Sequence, residues 1–87
     1  MLNRTMLLED VLQDKLSQSE SVELILMDVF EALEIKGYNP VNQVVGYLIS
    51  GDPAYISSFQ GARNKIQQIE RDEILEVLLT KFIDKSK

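Results

Sequence analysis

The chain has 87 residues, no cysteine, no histidine, and 14 acidic against 9 basic side chains, for a net charge of −5. That length is one small domain with a single thin core. The missing residue types exclude disulfides, thiol nucleophiles, cysteine or histidine metal sites and imidazole acid–base catalysis, and the negative balance disfavours polyanions as ligands.

A hydrophobic share of 45% with 26% charged residues is that of a globular chain. No apolar run approaches the roughly 20 residues of a bilayer span, and Met6-Leu7-Leu8 followed by two acids is no signal peptide. The expectation is a soluble, cytoplasmic protein without membrane insertion. Residues 1–18 read as an N-terminal regulatory tail or a loosely docked helix, with Leu8, Val11, Leu12 and Leu16 at helical spacing. Residues 19–87 read as a helical dimerisation domain.

The clearest helix spans 19–36. Ser17 with Glu20 forms a capping-box pattern, and Ser19 is a rival cap. Val22, Ile25, Leu26, Val29 and Leu33 make one apolar stripe. Leu24, Met27, Phe30 and Ile35 widen it beyond a single core face, so this helix calls for a partner surface. Gly37 fits the C′ position.

In residues 37–62, 26 positions, Asp52 is the only formal charge, and all three tyrosines (Tyr38, Tyr47, Tyr55) and both prolines lie there. Asn39-Pro40 reads as N-cap and N1 of a helix through Val41, Val44, Val45, Leu48 and Ile49, closed by Ser50-Gly51. Asp52-Pro53 repeats the device and opens another turn. Gly46, inside the helix, suits close approach of another backbone. Residues 58–87 are helical again, with Ala62, Ile66 and Ile69 in phase. Ile74, Leu75, Leu78, Leu79 and Phe82 then carry the apolar side. The slip between the two stripes predicts a kink or break near Arg71-Asp72, with Asp72 as a cap, and a frayed end over Asp84-Lys85-Ser86-Lys87.

Chemistry is sparse. Asp52 stands alone in an uncharged stretch and reads either as the cap of the turn opened by Pro53 or as an acid–base carboxylate; capping is the simpler reading, and no second carboxylate lies near in sequence. The glycines form neither a Walker loop nor a dinucleotide fingerprint, and nothing resembles a calcium loop. Arg63, Lys65 and Arg71 do not make a stripe along one helix face, which weakens a helix-turn-helix reading. No catalytic, cofactor-binding or metal-ligating residue is assigned. The uncharged stretch, with Tyr38, Asn39, Pro40, Val41, Asn42, Val45, Tyr47, Leu48 and Tyr55, reads as a dimer interface or core, because tyrosine and asparagine give contact area with a polar handle.

The run Lys36-Gly37-Tyr38-Asn39-Pro40-Val41-Asn42-Gln43-Val44-Val45-Gly46-Tyr47-Leu48, then Ser50-Gly51-Asp52-Pro53-Ala54-Tyr55-Ile56, resembles the IreB/ReoM family of Firmicutes. Ala62-Arg63-Asn64 and Glu70-Arg71-Asp72-Glu73-Ile74 continue the likeness, which covers about residues 28–83. The resemblance implies a small helical homodimer without catalytic activity. It implies a regulator of peptidoglycan synthesis and of resistance to cell-wall antibiotics, phosphorylated by a membrane Ser/Thr kinase on a tail threonine. Thr5-Met6 matches that site. It also implies a link to Clp-protease turnover of the enolpyruvyl transferase that begins peptidoglycan synthesis, relieved by phosphorylation. Two departures stand out. Leu7-Leu8-Glu9-Asp10 replaces an aromatic, acidic tail. Ser57, Ser58, Gln67 and Gln68 replace a proline and several basic residues, leaving Arg63 and Arg71 as the cations for partner contact.

The expectation is therefore an all-α, compact bundle of about four to five short helices in an intertwined homodimer. It acts as a non-enzymatic adaptor meeting the kinase transiently and the Clp machinery or its substrate, with no nucleic acid and no cofactor. The alternatives are a small nucleic-acid-binding regulator, or a carboxylate-based ligand-binding domain with a concave pocket at Asp52 and Tyr47.

Overall fold

A computed structural model describes residues 18–86; Thr5, the Ser17 cap and the rest of the tail lie outside them, as does Lys87. The described residues form four α-helices and two 3₁₀ turns, with no strand. The helices are α1 (Gln18–Ile35), α2 (Pro40–Ser50), α3 (Ala62–Ile66) and α4 (Arg71–Ser86), and the 3₁₀ turns Pro53–Tyr55 and Phe59–Gly61 lie between α2 and α3.

Helix α1 is the spine, packed by α3 and α4 and more lightly by α2. Its stripe is Val22, Leu26, Val29, Ala32 and Leu33, all buried, with Ile25 and Phe30 half-buried beside them. Leu24, Met27 and Ile35 point to solvent. The extra width read from the sequence is thus outer surface, not core. The helix stops at a Schellman turn: Gly37 sits at φ 89°, its N–H donates to Glu34 O, and Tyr38 N–H donates to Leu33 O at 2.9 Å. Positive φ costs glycine little, and the two bonds satisfy carbonyls the helix end leaves open.

Helix α2 starts where Asn39, in extended conformation, accepts the Asn42 N–H at 3.2 Å with Pro40 behind it. It ends at Gly51, φ 75°, whose N–H donates to Tyr47 O at 2.7 Å. Asp52 caps the next turn by accepting the Ala54 N–H at 2.9 Å. Val44 and Tyr47 turn inward and meet Ile56, Ala62 and Ile66 in the common core.

The break before α4 falls at 67–70, ahead of Arg71-Asp72. Asp72 is not the cap; it lies inside the first turn of α4, and the Glu73 carboxylate reaches back to the Glu70 N–H at 3.0 Å. The other Glu73 oxygen accepts from Gln18 Nε2, pinning the start of α1 to the start of α4. The inward row of α4 is Ile74, Val77 and half-buried Leu78; Leu75, Leu79 and Phe82 face outward. Both rows are apolar, so periodicity alone did not say which one α1 covers. Helix α4 continues through Asp84 and Lys85 to Ser86, whose hydroxyl donates to Phe82 O at 2.9 Å.

Candidate functional site

Two features gather the residues singled out by sequence. The first is an exposed apolar row on α2. Val41, Val45 and Ile49 follow one another at i, i+4 and i+8, which places them on one side of a helix. All three are solvent-exposed, Ile49 at 79%. Tyr38 precedes the row and Tyr55 flanks it, both exposed, as are Asn39 and Asn42. Pro40 and Leu48 are half-buried, and Tyr47 is a core residue at 7% exposure. Of the tyrosines, only Tyr47 faces the protomer's own interior. Ile49 was missed from the sequence list although its four-residue spacing from Val45 carried the signal.

Gly46 explains how Tyr55 comes to lie there. A Cβ on Gly46 would fall 2.9 Å from Tyr55 Cε1 and closer still to Cδ1. The glycine thus admits an aromatic ring, not a second backbone. The helix gives up a side chain at this point and gains a flat ring across it.

The second feature is the pair of arginines. Arg71 Nη1 donates to Leu48 O at 3.0 Å, at the C-terminal end of α2, and its guanidinium covers Gly51. Arg63 Nε donates to Ile56 O at 2.9 Å, and the Arg63 N–H donates to Ser57 O at 3.1 Å. Ser57, where the resemblance implies proline, uses its own N–H: it donates to Gln43 Oε1 at 2.9 Å. Each guanidinium therefore has part of its donor set committed to the fold. A cation at a helix C-terminus also meets the negative end of the helix dipole.

Asp52 sits on an open depression walled by Ala54 and Tyr55. Tyr47, in the core, does not line it, so the two residues do not form the concave site that a carboxylate-based ligand domain requires. Among the described residues no cluster of acidic side chains has the arrangement of a metal site. No helix among them is long and apolar enough to cross a membrane.

Among the described residues the surface thus carries capped turns and an exposed apolar row. A family model described as IreB regulatory phosphoprotein matches residues 3–84. The chain belongs to the IreB regulatory phosphoprotein family. The match extends N-terminal to residue 28 and takes in Arg4 and Thr5. It also spans both arginines and the whole α2 row. Membership makes the chain a regulatory phosphoprotein.

Proposed function

We propose that this IreB-family chain is a cytoplasmic, non-enzymatic homodimeric adaptor that reports cell-wall status. A membrane Ser/Thr kinase phosphorylates Thr5. The unmodified protein promotes Clp-dependent turnover of a peptidoglycan precursor enzyme, and phosphorylation relieves that turnover, which links the chain to cell-wall antibiotic resistance. Residues 1–18 carry the signal and the helical domain carries the contacts.

The observation that supports this reading is the outward α2 row. Three large aliphatic side chains and two tyrosines in one uncharged strip are costly to leave in water, and a second copy of the same strip covers them symmetrically. Arg71 joins the end of α2 to the start of α4, and Leu75, one turn beyond Arg71, begins the second outward row with Leu79 and Phe82. The α2 row thus ends at the helix end that Arg71 holds, one turn before the α4 row begins. Family membership supports the phosphoprotein part, and Thr5, within the matched residues 3–84, is the acceptor we assign from the resemblance of Thr5-Met6.

The test is intact-mass analysis of the protein purified from its own host under cell-wall stress, beside a Thr5→Ala strain. A phosphate on the wild type, absent in the variant, with a matching change in abundance of the precursor enzyme, is the expected result. No phosphate under any wall stress removes the switch.

A further inference from the structure

The serine and threonine side chains among the described residues differ in what surrounds their hydroxyls. Ser19, Ser21, Thr80 and Ser86 lie inside α1 or α4, and the Ser86 hydroxyl donates to Phe82 O. Ser50 ends α2, and its hydroxyl donates to Gly46 O at 2.8 Å. Ser57 is half-buried and accepts the Phe59 N–H at 3.1 Å. Ser58 alone among them is exposed, lies outside an α-helix and makes no side-chain bond to the turn it opens.

The segment around Ser58 is lightly held. Ser57 N–H donates to Gln43 Oε1 at 2.9 Å and Gly61 N–H donates to Ser58 O at 3.1 Å. Gln60 takes φ 51°, a left-handed backbone that costs a non-glycine residue about 1 kcal/mol. Buried Ile56 and Ala62 anchor the two ends, so residues 57–61 open as a loop while the core stays packed. Two cations border the loop. Lys36 Nζ stands 5.3 Å from the centre of the Phe59 ring. Arg63 spends Nε on Ile56 O and its backbone N–H on Ser57 O, which leaves the two terminal guanidinium nitrogens. Between Asp52 and Glu70 the sequence has no acid.

We propose that Ser58 is a second phosphoacceptor, modified by a Ser/Thr kinase with ATP, and that Lys36 and Arg63 hold the phosphate. The Ser58 Oγ attacks the γ-phosphorus, its proton passes to the kinase's general base, and the bond from that phosphorus to the β,γ-bridging oxygen breaks as ADP leaves. The product sets nearly two negative charges between a lysine and a guanidinium, which bind phosphate through charge-assisted hydrogen bonds. The loop that opened for the kinase is then closed onto the residue that follows α1. The assignment rests on membership of a phosphoprotein family and not on the tail threonine.

The experiment takes the full chain, Thr5→Ala and Ser58→Ala from the protein's own host under cell-wall stress, and fragments each in the mass spectrometer to place every phosphate on a residue. The wild type should carry phosphate at Thr5 and at Ser58, and each variant should lose its own and keep the other. Phosphate on Thr5 without Ser58 overturns the second acceptor and leaves the tail reading standing; phosphate on Ser58 without Thr5 does the reverse. Phosphate on Ser21 or Thr80 in place of Ser58 also overturns it, and a chain without phosphate at either residue overturns both. The holding is read by thermal melts at fixed protein concentration. A Thr5→Ala chain phosphorylated at Ser58 should melt about 4 °C or more above its unmodified form, and Lys36→Gln should remove about half of that rise. No rise, or one indifferent to Lys36→Gln, overturns the clasp.

Discussion

Arg71 and Gly51 are in contact across the joint between α2 and α4. A Cβ on Gly51 would stand 2.9 Å from the guanidinium carbon, and the same guanidinium donates to Leu48 O at 3.0 Å. The glycine has two duties, positive φ at the helix end and room for the arginine. Gly51→Ala should therefore destabilise by about 1–2 kcal/mol, from the left-handed backbone and the crowding together. Arg71→Ala should cost about 1 kcal/mol, less than the roughly 1.5–3 kcal/mol of a charged hydrogen bond, because the side chain is exposed and solvent screens it. Made together, the two substitutions should cost less than their sum, since removing the arginine relieves the crowding. Urea unfolding at fixed protomer concentration measures all three; strict additivity would show that the contact carries no energy.

Gly46 makes a sharper case because the sign is unusual. Glycine to alanine in a helix interior ordinarily stabilises by about 0.5–1 kcal/mol. Here the added methyl meets the Tyr55 ring, so Gly46→Ala is expected to destabilise by about 1 kcal/mol or more as the ring is displaced. In a Tyr55→Ser background the same change should become stabilising. Thermal melts of the four proteins suffice to read this, and a stabilising Gly46→Ala in the wild-type background would contradict the packing described.

Much of the fold was readable because this chain marks its turns with residues that have few other uses. Asn39-Pro40, Ser50-Gly51 and Asp52-Pro53 each pair a capping side chain or a positive-φ residue with a proline or a stop, and α2 and the following turn start and end at them. The stripe Val22-Leu26-Val29-Leu33 was equally plain, since its apolar positions recur at helical spacing with no acid among them. What could not be read was which of two apolar rows a helix buries. In α4 both Ile74-Val77-Leu78 and Leu75-Leu79-Phe82 are apolar; only the position of α1 decides, and that depends on contacts far apart in sequence. The arginines were hidden for a related reason. A charge pattern counts cations and cannot show that Arg63 and Arg71 reach back to the carbonyls of Ile56 and Leu48.

Those two bonds also bear on nucleic acid as a ligand. Arg63 and Arg71 are each spent in part on a backbone oxygen, Lys65 lies 3.8 Å from Asp28, and Lys81 is paired with Glu23. Polyanion binding depends on several cations released together to phosphates, with an affinity that falls steeply with salt. The chain should therefore fail to retard duplex DNA or RNA in a gel-shift at physiological salt. Micromolar binding that weakens sharply between 50 and 200 mM salt would move the chain to a different class of regulator.

The α2 row gives the most direct test of self-association, because its two sides make opposite predictions. Val45 faces out and Val44, its neighbour in sequence, faces the core at 3% exposure. Val45→Glu adds a charge where a second copy would lie, so it should leave helicity unchanged and weaken the proposed self-association by roughly tenfold to a hundredfold, about 1.4–3 kcal/mol. Val44→Glu buries an unpaired carboxylate beside Ile56 and Ile66 and should unfold the domain outright. Ile49→Lys, at the end of the same row, should behave as Val45→Glu does. Sedimentation at micromolar concentration, together with far-ultraviolet circular dichroism, separates the cases: lost association with retained helix for Val45 and Ile49, lost helix for Val44. A wild-type chain that sediments as a single protomer at those concentrations would leave the outward row without its second copy and hand it to a partner of another kind.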